Sequence, residues 1–190
     1  MNKNMNKDIK KVSKIEILIG TGNEGKFREI AEVLGSLPIT LINPKTIGIQ
    51  ETPEESGKNY EENAIIKTEF YFKKSGLTTV AEDSGIEIEA MPGKLGFQTR
   101  RWGKGEKVSE EEWFEHFLKK IKKLKNRKAS FYCTAAIIYK NKIHIFKGEC
   151  IGTLLDRAPI NPPKGIPISS IFVPENCSQV YALLTQKEKN

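Results

Sequence analysis

An apolar run, IEILIG, leads directly into the glycine-rich stretch GTGNEGKF, and a helical pattern, KFREIAEVLGSL, follows. A strand, a tight turn and a helix in this order are typical of α/β proteins, and the first amides of such a helix often bind a phosphate. We therefore predict a strand over residues 15–20, buried on both faces, and a helix over residues 24–35. The apolar stripe of this helix consists of Phe27, Ile30, Ala31 and Leu34.

The glycine-rich stretch resembles two phosphate-binding motifs without matching either. It contains G-x-G-x-x-G, but a dinucleotide fold needs an acidic residue roughly 20 positions later, where residues 41–44 read LINP. It also contains G-x-x-x-x-G-K, but Phe27 stands where a P-loop needs Ser or Thr. One reading is an ordinary tight turn. However, Lys26 in the first helical turn opposes the helix dipole, and a bound anion would remove that penalty. We interpret the stretch as a phosphate site whose metal is held elsewhere.

Capping signals define two further helices. Asn59 is predicted to begin the second helix, with Glu62 as its capping-box partner, and Gly76 is predicted to end it. Ser109 and Glu112 form a second capping box, followed by an apolar stripe with lysines on the opposite face. These signals predict one helix that begins after Asn59 and another that begins after Ser109.

The remaining apolar segments predict strands. They comprise Ile39 to Ile42, a short strand LTTVAED that ends at its acids, a separate strand IEIEAM, and a long hairpin that turns near Asn141. The segment IFVPENCSQVYALL is predicted to add one short strand and a helical turn. The chain is therefore predicted to be a mixed α/β protein with an antiparallel hairpin region.

Length and composition limit the class of protein. The 190 residues suit one domain, or two small lobes that share a cleft. We expect residues 1–14 to be a disordered basic tail and residues 15–190 to form a single two-lobed domain. No apolar run approaches the roughly 20 residues of a membrane span. The net charge of +7 comes mostly from lysine, and lysine pairs such as 119–120 and 122–123 are predicted to be solvated.

The few histidines and cysteines exclude several chemistries. His116 and His144 are too few for a zinc site or a histidine-based triad. Cys133 and Cys150 could face each other across the hairpin, so a disulfide is conceivable. The odd count, with Cys177 and no secretory signal, favours free thiols in a reducing cytoplasm.

Two acidic pairs could hold a metal ion. Glu54-Glu55 lies in a polar loop, and Glu82-Asp83 is predicted to lie at the carboxyl end of a strand, where α/β proteins place ligand sites. Adjacent carboxylates on an apolar strand repel each other unless a cation intervenes, and Mg²⁺ meets that need. Asn63 and Lys67 are four residues apart on one helix and point the same way. Lysines, carboxylates and a metal together indicate phosphoanhydride chemistry.

The order of these motifs resembles the inosine triphosphate pyrophosphatase family, which removes non-standard purine nucleoside triphosphates. The similar segments are T-G-N-x-x-K (Thr21–Lys26), E-E-S-G-x-x-Y-x-E-N-A-x-x-K (Glu54–Lys67), E-D-S-G (Glu82–Gly85) and TRRWG (Thr99–Gly103). FKGECIG and IFVPE continue the resemblance, which runs from about residue 15 to the C-terminus. The related Maf-type pyrophosphatases are a poorer match.

The resemblance implies an α/β fold with two lobes, an elongated mixed sheet flanked by helices and an active cleft between the lobes. It also implies a homodimer, a Mg²⁺ cofactor and hydrolysis of a nucleoside triphosphate to the monophosphate and diphosphate. No membrane or stable nucleic-acid partner is expected.

The resemblance also assigns roles by position. The implied catalytic residues are Asp83, Lys26 and Lys67. The implied metal ligands are Glu55 and Asp83, and Asp83 could also act as the general base. The implied substrate-binding residues are Thr21, Gly22, Asn23, Lys26, Asn63, Ser84 and Arg101.

The chain departs from this family in the segments that bind the nucleobase. The family carries G-F-G-Y-D-P where this chain has GIPISS, residues 165–170, so stacking aromatics are replaced by isoleucines and an acid by Ser169. A serine-histidine-arginine segment of the family follows E-K-N, where this sequence ends. We therefore expect altered or relaxed base specificity.

Other functions are also compatible with the sequence. The chain could bind nucleotides without turnover, or a second chain could complete the pocket. A basic nucleic-acid-binding module is the rival from another class, and its affinity would fall steeply with salt.

Overall fold

A computed structural model of the chain describes residues 14–189. The predicted basic tail therefore lies outside the described residues, apart from Lys14. The strands are β1 (Ile15–Ile19), β2 (Ile39–Ile42), β3 (Thr78–Ile88), β4 (Lys128–Tyr139), β5 (Lys142–Leu154) and β6 (Phe172–Pro174). The helices are α1 (Glu24–Leu34), α2 (Tyr60–Ser75), α3 (Glu110–Ile121) and α4 (Gln186–Lys189). Among the described helices, none is long and apolar enough to cross a membrane.

The described strands form a six-stranded mixed sheet in the order β2-β1-β3-β4-β5-β6. β1 pairs in parallel with both β2 and β3, whereas β3, β4, β5 and β6 pair antiparallel. This arrangement confirms the predicted α/β class and the predicted hairpin, whose turn residues Lys140 and Asn141 both have positive φ. Positive φ at both positions is typical of the two-residue turns that close hairpins.

The prediction of two successive strands around Glu82 and Asp83 was wrong. β3 is one strand of eleven residues, and both acids lie in its middle. The strand continues because β4 pairs with it from Thr79 to Ile88. β1, in contrast, pairs with β3 only as far as Val80. The two acids consequently lie just beyond the carboxyl end of β1.

Two separate hydrophobic cores give the molecule two lobes. The smaller core contains Leu18, Ile49 and Tyr71, between the parallel strands and α2. The larger core is built around α3, the antiparallel strands and the segment after β5; its largest buried side chains include Trp113, Phe117 and Phe172. β3 contributes to the larger core with Ile86 and Ile88 and contacts α2 with its first half. The predicted two-lobed architecture is confirmed.

The helix boundaries follow the capping signals. The Asn59 side chain accepts a hydrogen bond from the Glu62 amide, and the Glu62 carboxylate accepts one from the Lys58 amide. Gly76 ends α2 in the left-handed region with φ of 70°. Ser109 accepts a hydrogen bond from the Glu112 amide at the start of α3. In a capping box the side chain of the third helical residue accepts from the N-cap amide, but Glu62 accepts from the Lys58 amide and from Asn59 Nδ2. Among the described contacts, both helices therefore show the N-cap bond without the standard reciprocal bond.

One expectation about local packing was wrong, and two open points are decided by the structure. β1 is not buried throughout, since Ile15 is 51% exposed and burial begins near Leu18. Among the residues of α1, only Gly25 is fully buried, and the apolar side of the helix borders a cleft instead of a core. The conceivable disulfide is absent, because Cys133 pairs with Gly148 and Cys150 with Phe131 in the hairpin register. All three cysteines are free.

Candidate active site

The turn between β1 and α1 is stabilised from within. Asn23 is the N-cap of α1, and its Oδ1 accepts hydrogen bonds from the amides of Gly25 (2.8 Å) and Lys26 (3.2 Å). Thr21 Oγ1 accepts a hydrogen bond from the Asn23 amide at 3.1 Å. The sequence suggested that amides here would be open to an anion. At Gly25 and Lys26 they already bind Asn23, so these two amides are not open to an anion, and the Lys26 ammonium is the cationic group of this turn.

Lys26 reaches from α1 to the middle of β3. Its Nζ lies 2.8 Å from Glu82 Oε1, and the Glu82 side chain is 8% exposed. Burial lowers the pKa of Lys26, but the negative charges of Glu82, Asp83 and Glu55 outweigh this effect and raise it overall. Burial likewise raises the pKa of Glu82, while Lys26 and Lys67 bring it below its usual value. Both groups are therefore held in their charged forms.

Lys67 connects two of the predicted metal ligands. Its Nζ lies 2.8 Å from Asp83 Oδ1 and 2.9 Å from Glu55 Oε1. Asn63 Nδ2 donates to Asp83 Oδ2 at 3.2 Å, and Arg101 lies 3.2 Å from Glu55 Oε2. Burial raises the pKa of Asp83, although the positive charge of Lys67 opposes the change. The structure thus brings together five residues that the sequence analysis selected.

We call the combined set the charged cluster: Lys26, Glu55, Asn63, Lys67, Glu82, Asp83 and Arg101. Glu82 and Asp83 are neighbours on β3, so their side chains point to opposite faces of the sheet. Glu82 meets α1 on one face and Asp83 meets α2 on the other. Because β1 ends before this point, the edge of β3 beside both acids is not covered by β1.

The charged cluster has the donors that a magnesium ion requires. Among the described residues, no three acidic, histidine or cysteine side chains form a metal-binding group. The Lys67 ammonium instead lies between the carboxylates of Glu55 and Asp83, where positive charge is needed. Mg²⁺ commonly takes one or two carboxylates and completes its shell with substrate phosphates and water. Glu55 and Asp83 fit that description.

A cleft of about 640 Å³ adjoins the charged cluster. Lys26, Glu82, Ser84 and Cys133 line it at the cluster, and the Cys133 thiol donates to Glu82 Oε2 at 3.7 Å. The other side is formed by what we call the apolar wall: Phe131, Cys150, Ile166, Ile168, Phe172 and Tyr181. A charged end and an apolar end suit a ligand with a phosphate part and a ring part.

The GIPISS segment builds part of the apolar wall as a 3₁₀ turn over Pro167–Ser170. Ser169 Oγ donates to the Ile166 carbonyl at 2.6 Å, and Ser170 Oγ donates to the Pro167 carbonyl at 2.7 Å. Both hydroxyl groups are therefore used within the turn. Phe131 and Phe172 pack edge to face, with ring centroids 4.7 Å apart.

The sequence analysis did not select several residues that line or support the cleft. Glu82 was considered only as one of an acidic pair that could hold a metal ion, and it is the partner of Lys26. Cys133, Tyr181 and Glu110 line the cleft from distant parts of the sequence. The E-D-S-G motif could have identified Glu82, whereas the other three lie outside the motifs used. Of the selected residues, Gly22 is exposed in the turn and Ser84 borders the cleft on β3.

Comparisons with known proteins agree with this arrangement. The Ham1 family matches residues 17–190. The dITP/XTP pyrophosphatase of Dictyoglomus thermophilum is 34% identical over 178 residues, covering 92% of this chain and 85% of that protein. The dITP/XTP pyrophosphatase of Leptospira interrogans serovar copenhageni is 28% identical over 177 residues, covering 93% and 89%.

Solved structures show the same fold. A HAM1 protein from Coxiella burnetii superposes with a TM-score of 0.72 at 28% identity, covering 93% of this chain and 90% of that one. The Staphylococcus aureus Ham1 protein gives a TM-score of 0.69 at 28% identity, covering 92% and 88%. With the family match spanning both lobes and the charged cluster, the chain belongs to the Ham1 family.

Proposed function

We propose that this chain is a Mg²⁺-dependent nucleoside triphosphate pyrophosphohydrolase that removes non-standard purine nucleotides, such as ITP, XTP and dITP. The observation that carries the proposal is the charged cluster. Lys26 and Glu82 line one end of a cleft whose other end is apolar, and Lys67 is held by the buried Asp83 on the opposite face of β3. Relatives named dITP/XTP pyrophosphatase support the same activity.

The reaction follows from the chemistry of these groups. Water attacks the α-phosphorus, a new P–O bond forms, the bond to the bridging oxygen breaks, and diphosphate leaves. Asp83 accepts the proton of the water, and its pKa, raised by burial, suits a base better than an ordinary aspartate. Asn63 and Lys67 orient its two oxygens. When bound by Glu55 and Asp83, Mg²⁺ would supply positive charge that the phosphates require.

The remaining selected residues bind substrate in this proposal. Lys26 and Lys67 neutralise the triphosphate, and Arg101 holds Glu55 in place. Thr21, Gly22, Asn23 and Ser84 border the triphosphate. Since both serines of the GIPISS turn bond within that turn, the apolar wall offers the base mainly hydrophobic contact. Such a pocket discriminates weakly between bases, so we propose relaxed specificity.

We propose that the protein acts in the cytoplasm as a homodimer. β5 pairs with β4 along its length but with β6 only from Gly152 to Leu154, so most of one edge is open among the described strands. Phe146 is 63% exposed and Ile151 48% exposed on this strand. An open edge with apolar side chains is suited to a second copy of the chain. Light scattering tests the homodimer, because the molar mass that it measures should be twice that of one chain.

The test is diphosphate release from a panel of nucleoside triphosphates with Mg²⁺, with ITP and XTP beside the four standard ribonucleotides. We expect release from the wild type and a loss of about 10²- to 10⁴-fold in Asp83→Asn, the range for removing a general base. Glu87→Gln is the matched control, since Glu87 is an exposed acid on the same strand. Its activity should equal the wild type.

Other outcomes identify the rival functions. Nucleotide binding without release from any substrate would mean that the protein binds nucleotides without turnover. Affinity for nucleic acid that falls steeply with salt and survives Asp83→Asn would support the basic binding module. The lysines at the end of α3 are exposed, as a solvated face requires, so the active site does not depend on them.

A further inference from the structure

Gly165 joins the starts of α1 and α3. Its amide donates to both carboxylate oxygens of Glu110, at 2.8 and 3.0 Å, and Glu110 is the first residue of α3. Its carbonyl accepts a hydrogen bond of 2.9 Å from Asn23 Nδ2, and Asn23 is the N-cap of α1. We call this chain of contacts the Gly165 tether.

The tether leaves little room for other arrangements. Gly165 has φ of +89°, and a Cβ at this position would collide with Asn23 Oδ1. A Cβ at Gly25 would lie 2.6 Å from the carbonyl oxygen of Lys164. Arg28 adds a longer hydrogen bond to that same carbonyl at 3.3 Å. The segment is therefore packed directly against the first turn of α1, and glycine at both positions permits this approach.

Asn23 transmits the position of the tether to Lys26. Its planar side-chain amide donates through Nδ2 to Gly165 and accepts through Oδ1 from the amides of Gly25 and Lys26. Fixing one end of a planar amide fixes the other end. The orientation of the first turn of α1, and so the direction of Lys26 towards Glu82, depends on where Gly165 is held.

We propose that Glu110 is a positioning residue for phosphate recognition, acting through Gly165 and Asn23 on Lys26. The proposal rests on the proposed function of the charged cluster. Glu110 is remote in sequence from the phosphate-binding turn and has no assigned role in the reaction. Gly165 also begins the GIPISS segment, but the 3₁₀ turn over Pro167–Ser170 is held by its own serine hydrogen bonds. We therefore expect the effect of Glu110 to fall on the phosphate end of the cleft and to be independent of the nucleobase.

The test compares Glu110→Ala, Glu110→Asp and Glu110→Gln with Glu111→Ala, an exposed acid next to it on α3. We expect Glu110→Ala to raise KM about five- to tenfold, with kcat within about twofold. This is less than the roughly 12- to 150-fold of a direct hydrogen bond to a charged group, because Glu110 acts on the substrate only through Gly165, Asn23 and Lys26. The factor should be the same for every base in the panel. The inhibition constant of inorganic triphosphate, which has no base, should rise by the same factor.

The other variants distinguish the position of the Glu110 carboxylate from its charge and from an effect on folding. Glu110→Asp keeps the negative charge at the start of α3 but withdraws the carboxylate by one methylene, so it should resemble Glu110→Ala in KM. Glu110→Gln keeps an acceptor oxygen and should restore most of the wild-type KM. If Glu110→Ala fails to fold, the Asp and Gln pair gives the same comparison.

Two results would overturn the tether. One is an unchanged KM and inhibition constant in both Glu110→Ala and Glu110→Asp while the wild type is active. The other is a change that differs between bases, which would place Glu110 at the base instead of the phosphates. A wild type that releases no diphosphate would be a failure of the proposed function. In that case, unaltered binding of inorganic triphosphate by Glu110→Asp would still contradict the tether.

Discussion

The charged cluster, which borders the cleft through Lys26 and Glu82, and the apolar wall of that cleft are built differently. Each ionic side chain in the cluster comes from a helix, from β3 or from an adjacent loop, and each is held by a partner of opposite charge at 2.8 to 3.2 Å. The apolar wall combines a 3₁₀ turn, the hairpin and the segment after β6. Its members are placed by packing, as in the Phe131–Phe172 contact. The difference indicates that reaction chemistry is fixed tightly here, while recognition of the ring can vary.

The largest expected difference is between Cys133, which lines the cleft beside the charged cluster, and Cys150 on the apolar wall. Burial, together with the negative charge of Glu82, raises the pKa of Cys133 to about 12. At pH 8 its thiolate fraction is then about 10⁻⁴, roughly 10³-fold below an ordinary thiol of pKa about 8.5. Burial and Cys177 also raise the pKa of Cys150, on the apolar wall, where Glu82 is not among the causes. Alkylation by iodoacetamide at pH 8, followed by mass spectrometry, should modify Cys150 before Cys133.

Accessibility alone predicts the opposite order, because Cys133 is exposed to the cleft and Cys150 is partly covered. The rate at Cys133 should rise as the pH approaches 12, since the thiolate is the reactive form. The Cys133→Ser variant serves as the control, because the alkylated peptide that is missing from its mass spectrum is the one that contains Cys133. Faster labelling of Cys133 at pH 8 would show that the charged cluster does not control its ionisation.

Lys67→Met tests how strongly the cluster depends on its internal pairing. The Lys67 side chain is 10% exposed and that of Asp83 is 4% exposed, so the variant leaves a buried carboxylate without its cation. We expect a loss of about 3–5 kcal/mol in the free energy of unfolding, measured with urea. The loss should shrink as the pH falls, because burial raises the pKa of Asp83 and protonation removes the unpaired charge.

Lys73→Met is the matched control on the same helix, since its side chain is 75% exposed. An exposed ion pair of this kind contributes at most about 1 kcal/mol. If the two variants lost the same stability, the charged cluster would be no more fixed than the surface.

Ile166→Phe tests the apolar wall and carries the smallest expected effect. Ile166 lines the cleft and is partly exposed, so a phenyl ring could stack on a purine. An aromatic contact adds about 0.5–1.5 kcal/mol, which predicts roughly a 2- to 12-fold rise in kcat/KM for purine substrates. Ile47→Phe, at a residue 44% exposed outside the cleft lining, should have no effect. A fall in kcat/KM for every base would mean that the wall is already filled.

Much of the charged cluster could be predicted from the sequence because its members lie in short motifs. Asn63 and Lys67 are one helical turn apart, and the Asn59 cap fixes where that turn begins. Glu82 and Asp83 are adjacent, so any strand there places them on opposite faces. Local periodicity was sufficient to select these residues, although their partners across the sheet were not apparent.

Other features depended on contacts between distant residues. The glycine and serine after Asp83 suggested that the strand ends there, but pairing with β4 carries it to Ile88. The stripe on α1 did not indicate which surface it would meet, and Ile30 and Leu34 border the cleft. Whether Cys133 and Cys150 could form a disulfide depended on register, and Cys133 lies opposite Gly148. Register and cleft geometry are set by residues fifteen or more positions away, which local patterns do not specify.

β3 is the one described strand whose pairings extend from the parallel half of the sheet into the antiparallel half, beside both hydrophobic cores. Separating the lobes would require breaking the pairings on one edge of β3, either its ten consecutive residue pairings with β4 or those with β1. The two cores are therefore coupled in unfolding, although each could be mistaken for an independent folding unit. In native-state hydrogen exchange, amides near Val80 and near Ile86 should open together with the same free energy, as members of one cooperative unit.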